Sequence, residues 1–325
     1  MSLGRLPIIA GSGSGYIETQ RLRSNASQVS VLSSTTPLRL LSPTSPPGER
    51  AALVFLLSHG GGLVAGDRIN VHINVCSGSR LGLLTQGSTK VYKSVSGTTC
   101  SAQTLNAVVG IDSALMILPD PTQPFSQSMF KQDQKFEIDS EKSSLLILDW
   151  ICEGRSARGE RWDFAEWSGR NEVWSARAGG SPDQTEKTLL LRDNTKLKQF
   201  SLFSHTLRER MDSFGVFGTV IIRGPLFESL ATDFSERYAR LPRIGAKEWS
   251  ARESTKALHG REDASASKSE ATVKWTASRT RNFVVIRFGA PAVEDARHWL
   301  REILTADGTI EREFGKRHLF CLQDH

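Results

Sequence analysis

His59-Gly60-Gly61-Gly62-Leu63-Val64-Ala65-Gly66-Asp67 leads through Arg68 into Ile69-Asn70-Val71-His72-Ile73-Asn74-Val75. Three consecutive glycines, and a fourth directly before Asp67, specify a backbone in conformations closed to residues that carry a side chain. Such a turn invites an anion-binding reading, because exposed N–H groups of a glycine-rich loop cradle phosphate at the start of a helix. The residues after Asp67 do not read as a helix. From Ile69 to Val75 apolar and polar residues alternate without a break, the period of a half-buried strand. Ile69, Val71, Ile73 and Val75 therefore face a core, and Asn70, His72 and Asn74 share the polar face. A dinucleotide fingerprint needs strand, turn and helix in that order, so the nucleotide reading fails here. It fails equally at Gly11, Gly13 and Gly15, which no strand precedes.

Strand-like runs dominate on both sides of this stretch. Leu53-Val54-Phe55-Leu56-Leu57 is continuously apolar up to the glycine turn, and further strands are predicted at Arg80–Leu84, Thr104–Val109, Ala114–Leu118, Phe136–Ile138, Ser144–Ile151, Glu172–Ala176, Thr188–Leu191, Phe217–Arg223 and Phe283–Phe288. Their connections are short and rich in Gly, Ser, Asp and Pro, which suggests antiparallel meanders. About two α-helices are predicted. One is amphipathic through Leu197, Phe200, Ser204, Leu207 and Met211, and the other runs through Val293, Ala296, Trp299, Leu300, Ile303 and Leu304. The expected fold is a mainly β, single-domain scaffold over residues 1–325, a β-sheet or β-helical assembly of many antiparallel strands. Ser42–Gly48 reads as a proline-rich connector, and Gly245–Ala271, almost without large apolar residues, as a disordered surface insert.

With 325 residues and 38% apolar content the chain can bury a large core. Its 41 basic and 35 acidic side chains give a formal charge of +6, but no run of like charge, so nucleic acid is not the expected partner. Cys76, Cys100, Cys152 and Cys321 are far apart and form no C-x-x-C pair, arguing against a zinc site or a disulfide scaffold. No apolar stretch has the length of a membrane span or a signal peptide, and a cytoplasmic location is expected.

Four segments carry candidate chemistry. In the glycine turn, Asp67 either caps the turn through backbone N–H groups or offers a carboxylate to a ligand. His59 and His72 match no compact metal-ligand spacing. About twenty residues on, Thr85-Gln86-Gly87-Ser88-Thr89-Lys90-Val91-Tyr92 places an ammonium at the end of a strand. Leu118-Pro119-Asp120-Pro121-Thr122-Gln123-Pro124-Phe125 is a turn stiffened by three prolines. Asp149-Trp150-Ile151-Cys152-Glu153-Gly154-Arg155-Ser156-Ala157-Arg158-Gly159-Glu160-Arg161-Trp162 packs acids and arginines between two tryptophans. There Arg155 or Arg158 can fork onto Glu160 or Asp149 as architecture, or the carboxylates can face a passage or an ion.

These segments, in this order and spacing, resemble the urease accessory protein UreD (UreH) family, from about Tyr16 to the C-terminal helix. The glycine turn with T-Q-G-x-x-K-V-Y and the G-R-x-x-x-G-E segment are the specific parts. The tail Arg317-His318-Leu319-Phe320-Cys321 and the longer loops suggest a eukaryotic, fungal version. The resemblance implies a non-enzymatic chaperone that acts with UreF and the GTPase UreG on apo-urease and passes nickel through an internal passage. It implies Asp67 and Glu160 as passage-lining carboxylates, with Lys90, Arg155 and Arg158 as network partners and Gly60, Gly61, Gly62 and Gly66 placing Asp67. No tightly bound cofactor is expected, only transient Ni²⁺, since separated oxygen ligands release an ion that a multi-histidine site would trap. Two other classes stand beside this reading: a hydrolase using Asp67 and Glu160 across a cleft, and a scaffold whose motifs serve folding alone.

Overall fold

The computed structural model describes residues 11–94, 97–176, 187–199, 205–241 and 272–323. Its strands are β1 Ser14–Arg21, β2 Ser27–Ser34, β3 Leu38–Leu41, β4 Ala52–Ser58, β5 Gly62–Leu63, β6 Arg68–Val75, β7 Arg80–Thr85, β8 Thr89–Val91, β9 Ser101–Val109, β10 Ala114–Leu118, β11 Thr122–Pro124, β12 Met129–Ile138, β13 Ser144–Cys152, β14 Glu166–Ala176, β15 Lys187–Lys198, β16 Val216–Arg223, β17 Lys274–Thr280 and β18 Phe283–Ala290. The helices are α1 Leu207–Met211, α2 Glu228–Arg240, α3 Val293–Ala306 and α4 Thr309–Glu313.

From β4 to β13 the chain winds between two walls. One sheet has the order β15-β14-β12-β9-β6-β1-β2, and the other has β17-β18-β16-β13-β10-β7-β4-β3. Each passage across the second sheet is followed by a corner and a passage across the first, so β6, β9, β12 and β14 lie parallel, as do β4, β7, β10 and β13. A parallel pair requires a crossover between its strands, and here the opposite wall supplies it. The scaffold is mainly β, as expected. The antiparallel meander is not what builds its centre: antiparallel pairs are confined to the periphery, at β1–β2, β3–β4, β14–β15 and the group β13, β16, β18 and β17. Short polar connections fitted both arrangements, because the corners between walls are as tight as hairpin turns.

The two walls explain two kinds of strand sequence. The first sheet packs on the second with one face and meets solvent with the other, so β6 alternates, with Ile69, Val71, Ile73 and Val75 buried. Strands of the second sheet are covered on both faces, hence the apolar run of β10 and that of β13 from Leu145 to Leu148. One apolar core fills the space between the walls, with Ile17, Leu105, Phe130, Phe136 and Trp167. A second lies between the second sheet and the helices, where Ala296, Trp299, Leu300, Ile303 and Leu304 of α3 are buried as their spacing predicts.

The C-terminal 3₁₀ segment Lys316–Leu322 also packs there. Its His318 is fully buried over Gly82, where a Cβ would sit 2.1 Å from the ring, and its Nε2 lies 3.3 Å from the Ala52 carbonyl.

The predicted helix through Leu197 and Met211 resolves differently. Leu197 belongs to β15, only Leu207–Met211 is helical, and Phe200 and Ser204 lie outside the described residues. Its spacing was borrowed from the alternation of a strand running into a short capped turn, where Thr206 and Glu209 form a capping box. Helix α2 was not anticipated, nor were β1 to β3, of which β3 is short and β2 is rich in serine and weak in alternation. The segment Gly245–Ala271 lies outside the described residues. Cys152 and Cys321 are buried, Cys76 and Cys100 half-buried, and all four are free.

Candidate functional site

Four successive corners stack at the end of the molecule where β4, β7, β10 and β13 finish, and they are the four segments singled out by sequence. The short strands β5, β8 and β11 form a parallel ladder inside the first three corners, pairing Gly62 with Lys90 and Leu63 with Val91, then Thr122 with Thr89 and Pro124 with Val91. The Tyr92 N–H donates to the Leu63 carbonyl and the Phe125 N–H to that of Val91, both at 2.9 Å. The glycines make this ladder possible. Gly60 and Gly61 have φ of 77° and 72° and Gly66 has 93°, all left-handed. Gly62 is extended, and a Cβ there would sit 2.7 Å from both the Lys90 carbonyl oxygen and the Tyr92 ring. Lys90 serves the ladder with its backbone, while its side chain is exposed.

Asp67 closes the first corner. Its Oδ2 accepts from the Val64 N–H at 2.9 Å, and its own N–H donates to the Val64 carbonyl at 3.0 Å. Glu160 closes the fourth. Arg155 forks onto it, with Nε donating to Oε2 at 2.8 Å and Nη2 to Oε1, and the Ser126 N–H adds a bond to Oε2 at 3.2 Å. The guanidinium also lies 3.9 Å above the Phe125 ring. Arg155 and the Ser126 amide hold the Glu160 carboxyl below the usual carboxylate range, and the same pairing raises Arg155. Arg158 is exposed and donates its backbone N–H to the Arg155 carbonyl at 2.8 Å, while Arg161 pairs with Glu153. Asp67 and Glu160 thus sit in different corners, and no hydrogen bond or ion pair joins them among the described residues.

Behind the corners lie two adjoining cavities. The outer, of about 70 Å³, is lined by Gly61, Gln86, Gly87, Ser88 and Gln103. The inner, of about 30 Å³ and large enough to hold water, reaches Gln132, Gln134, Asp120 and Asp149. Leu56, Thr85, Thr89 and Gln103 line both, and neither Asp67 nor Glu160 lines either. Asp120 fixes the mouth: its carboxylate accepts from the Thr85 hydroxyl at 3.2 Å, the Gly87 N–H at 2.9 Å and Arg297 of α3 at 3.0 Å.

Beyond the inner cavity a polar seam crosses the apolar core. On the first sheet Gln103 stands beside Gln132, and Gln134, Asn171 and Asp193 stand side by side on β12, β14 and β15. On the second sheet Asp149, Thr219 and Arg287 do the same on β13, β16 and β18. Three contacts described here span the walls. Asp149 accepts from Gln132 at 2.9 Å and from Asn171 at 2.8 Å, and Arg287 pairs with Asp193 at the edge, where its side chain is half-exposed. Burial pushes the Asp149 carboxyl up to about 6, aided by the negative charge of Asp193 and opposed by the bonds from Asn171 and Gln132. Asn171 Oδ1 is buried with no hydrogen-bond partner, an acceptor available to water or a cation.

The sequence offered Asp149 as a partner for Arg155 or Arg158; the structure gives Arg155 to Glu160 and turns Asp149 inward. Gln103, Gln132, Gln134, Asn171 and Asp193 were missed. Their signal was phase: in β12, Gln132 and Gln134 fall on the same alternation as Phe130, Phe136 and Ile138.

The family model for UreD urease accessory proteins matches residues 13–320. A urease accessory protein ureD-like protein of Schizosaccharomyces pombe is 30% identical over 83% of this chain and 86% of its own. Urease accessory protein 4 of Cryptococcus neoformans is 32% identical, with 84% of each chain covered, and urease accessory protein D of Oryza sativa subsp. indica is 30% identical over 71% of this chain and 72% of its own. The stacked corners and the seam behind them are therefore features of a chain that belongs to the urease accessory protein UreD family.

Proposed function

We propose that this protein is a non-enzymatic accessory factor in urease maturation that passes Ni²⁺, as cargo, along the seam between its two sheets. The single observation carrying the reading is Asp149: a carboxylate enclosed between the walls, reached from the corner surface through two cavities, with amide oxygens and a second carboxylate continuing beyond it. An ion in so small a cavity exchanges part of its hydration for protein oxygens, and Gln103, Gln132, Gln134, Asn171 and Asp193 on neighbouring strands supply them. Oxygen donors spread along a path bind weakly and release, as a conduit requires. Asp67 and Glu160 then act by holding the first and fourth corners, with Lys90, Arg155 and Arg158 around them, and any contact with nickel is at the surface of entry or exit. UreF-like and UreG-like proteins and apo-urease are the expected partners, in the cytoplasm. A two-carboxylate hydrolase needs its acids across one cleft, and neither Asp67 nor Glu160 lines either of the two cavities behind the corners.

Urease activation reconstituted with folded Asp149→Asn and Gln134→Leu tests the conduit, with Asp67→Ala and Glu160→Ala alongside. Activation lost with co-purification of the accessory partners retained supports transfer through the seam. Full activation by Asp149→Asn and Gln134→Leu overturns it in favour of a scaffold.

A further inference from the structure

The opposite end of the molecule, where β1, β6, β9 and β12 finish, carries tight turns and a different chemistry. The turns 22–26, 76–79, 110–113 and 139–143 stack there through backbone bonds, such as Cys76 N–H to Thr19 and Asp139 N–H to Val109, each at 3.1 Å. They enclose an open pocket of about 460 Å³ against Pro225 and Leu226.

Its walls are basic. Arg21, Arg50, Arg80 and Lys142 line it, with Asp112 as the carboxylate among the lining residues. Glu313, at its margin, is shared by Arg50 at 3.1 Å and Arg80 at 3.0 Å. Arg21 and Lys142 form no ion pair among the described residues; Arg21 donates to the Asn25 side chain at 2.6 Å. Gly78 makes room for Arg21, since a Cβ there would lie 3.0 Å from its Cδ. Burial and the neighbouring Arg50 and Arg21 charges depress Arg80, which Glu313 offsets in part. An excess of positive charge held this close is held at a cost that an anion would relieve.

The same turns expose large apolar side chains. Leu22, in the β1–β2 turn beside Arg21, is 38% exposed, and Ile111, next to Asp112, is 46% exposed. A free oxyanion would use the guanidinium groups and leave these two unaccounted for, whereas an acidic polypeptide with apolar side chains uses both. Of the chain's own longer segments outside the described residues, 1–10 carries Arg5 and no acid, 242–271 carries six basic against five acidic side chains, and 177–186, with two acids and one arginine, has no large apolar side chain to cover Leu22 and Ile111.

We propose that this pocket is a docking site for an acidic, leucine-bearing segment of a partner polypeptide, whose carboxylates pair with Arg21, Arg80 and Lys142 while its apolar side chains cover Leu22 and Ile111. The site is independent of the seam, being at the other end of every strand between them.

The test uses the full chain and a fluorescein-labelled twelve-residue peptide of Glu, Asp and Leu, titrated by anisotropy. Saturable binding that weakens steadily between 50 and 300 mM NaCl is expected, about tenfold or more overall. The double variant Arg21→Glu/Lys142→Glu, both exposed positions, should bind at least about tenfold more weakly with an unchanged melting temperature. Leu22→Ser/Ile111→Ser should also weaken binding. Equal binding by the wild type and the Arg21→Glu/Lys142→Glu variant overturns the proposal. Displacement of the peptide by inorganic pyrophosphate at equal concentration, with no effect of Leu22→Ser/Ile111→Ser, reassigns the pocket to a small oxyanion and overturns it as well. Neither outcome bears on activation through Asp149.

Discussion

Replacing Asp149 by Asn separates a conduit carboxylate from a structural one by the sign of its effect on stability. The Asp149 carboxyl is raised from 3.8 to about 6 in the folded protein, so the folded state holds its proton more tightly than the unfolded chain. Its favourable contribution is complete below pH 4 and is lost as pH rises through 6, a swing of about 3 kcal/mol at 1.36 kcal/mol per unit. Buried His318 works the other way, being lowered from 6.5 to about 4 by burial. Its contribution is present above pH 6.5 and lost as pH falls through 4, again about 3 kcal/mol. Over pH 4 to 6.5 the two nearly cancel in the wild type.

Asp149→Asn unmasks the histidine: urea-denaturation stability should rise with pH by about 3 kcal/mol across this window. At pH 7.5 the variant should equal or exceed the wild type. Asparagine keeps the shape, and a flip of the Asn171 amide would aim its unpaired Oδ1 at the new Nδ2. His318→Gln should give the mirror image, stability falling as pH rises. A variant profile parallel to the wild type between pH 4 and 6.5, or a loss of more than about 1 kcal/mol at pH 7.5, would refute the argument.

Three further outcomes are expected at the corners and the mouth. Gly62→Ala has an ordinary backbone angle but forces its methyl against the Lys90 carbonyl and the Tyr92 ring, so a loss of about 1–3 kcal/mol in thermal unfolding is expected. Glu160→Gln removes a carboxylate whose depressed titration contributes stability above about pH 4.3 that is lost on acidification. The variant should therefore lose less stability than wild type when the pH is lowered below 4, measured by the same denaturation. Arg297→Met leaves Asp120, almost wholly buried, without its guanidinium, and should cost about 3–5 kcal/mol while loosening the Thr85–Gly87 mouth to hydrogen exchange.

The walls were legible because burial writes itself into strand sequence in two scripts. The alternation of Ile69–Val75 and the apolar run Leu145–Leu148 distinguish a sheet with one wet face from a sheet with none. Strand direction was not legible, since a tight polar corner looks the same whether the chain returns beside its neighbour or crosses to the facing wall. The corner motifs stood out for their glycines, prolines and ion pairs, and the structure sets them in one stack. What they could not reveal was the seam. Gln103, Gln132, Gln134 and Asn171 come from ordinary strands, and only the pairing of Gln103 with Gln132 and of Gln134 with Asn171 makes them a line. Asp67 and Glu160 drew attention because they sit in conspicuous turns, which is also why backbone amides and Arg155 engage them.

A line of side chains assembled from neighbouring strands cannot be edited by sliding. Shifting β12 by a single residue would turn Lys131, Asp133, Lys135 and Glu137 inward and send Phe130, Phe136 and Ile138 to water along with Gln132 and Gln134. The polar seam and the apolar core share one register in β12, so a slip there would displace both together. Substitution at a fixed position alters the seam and leaves the core in place, whereas a change of length fits best in the turns at either end.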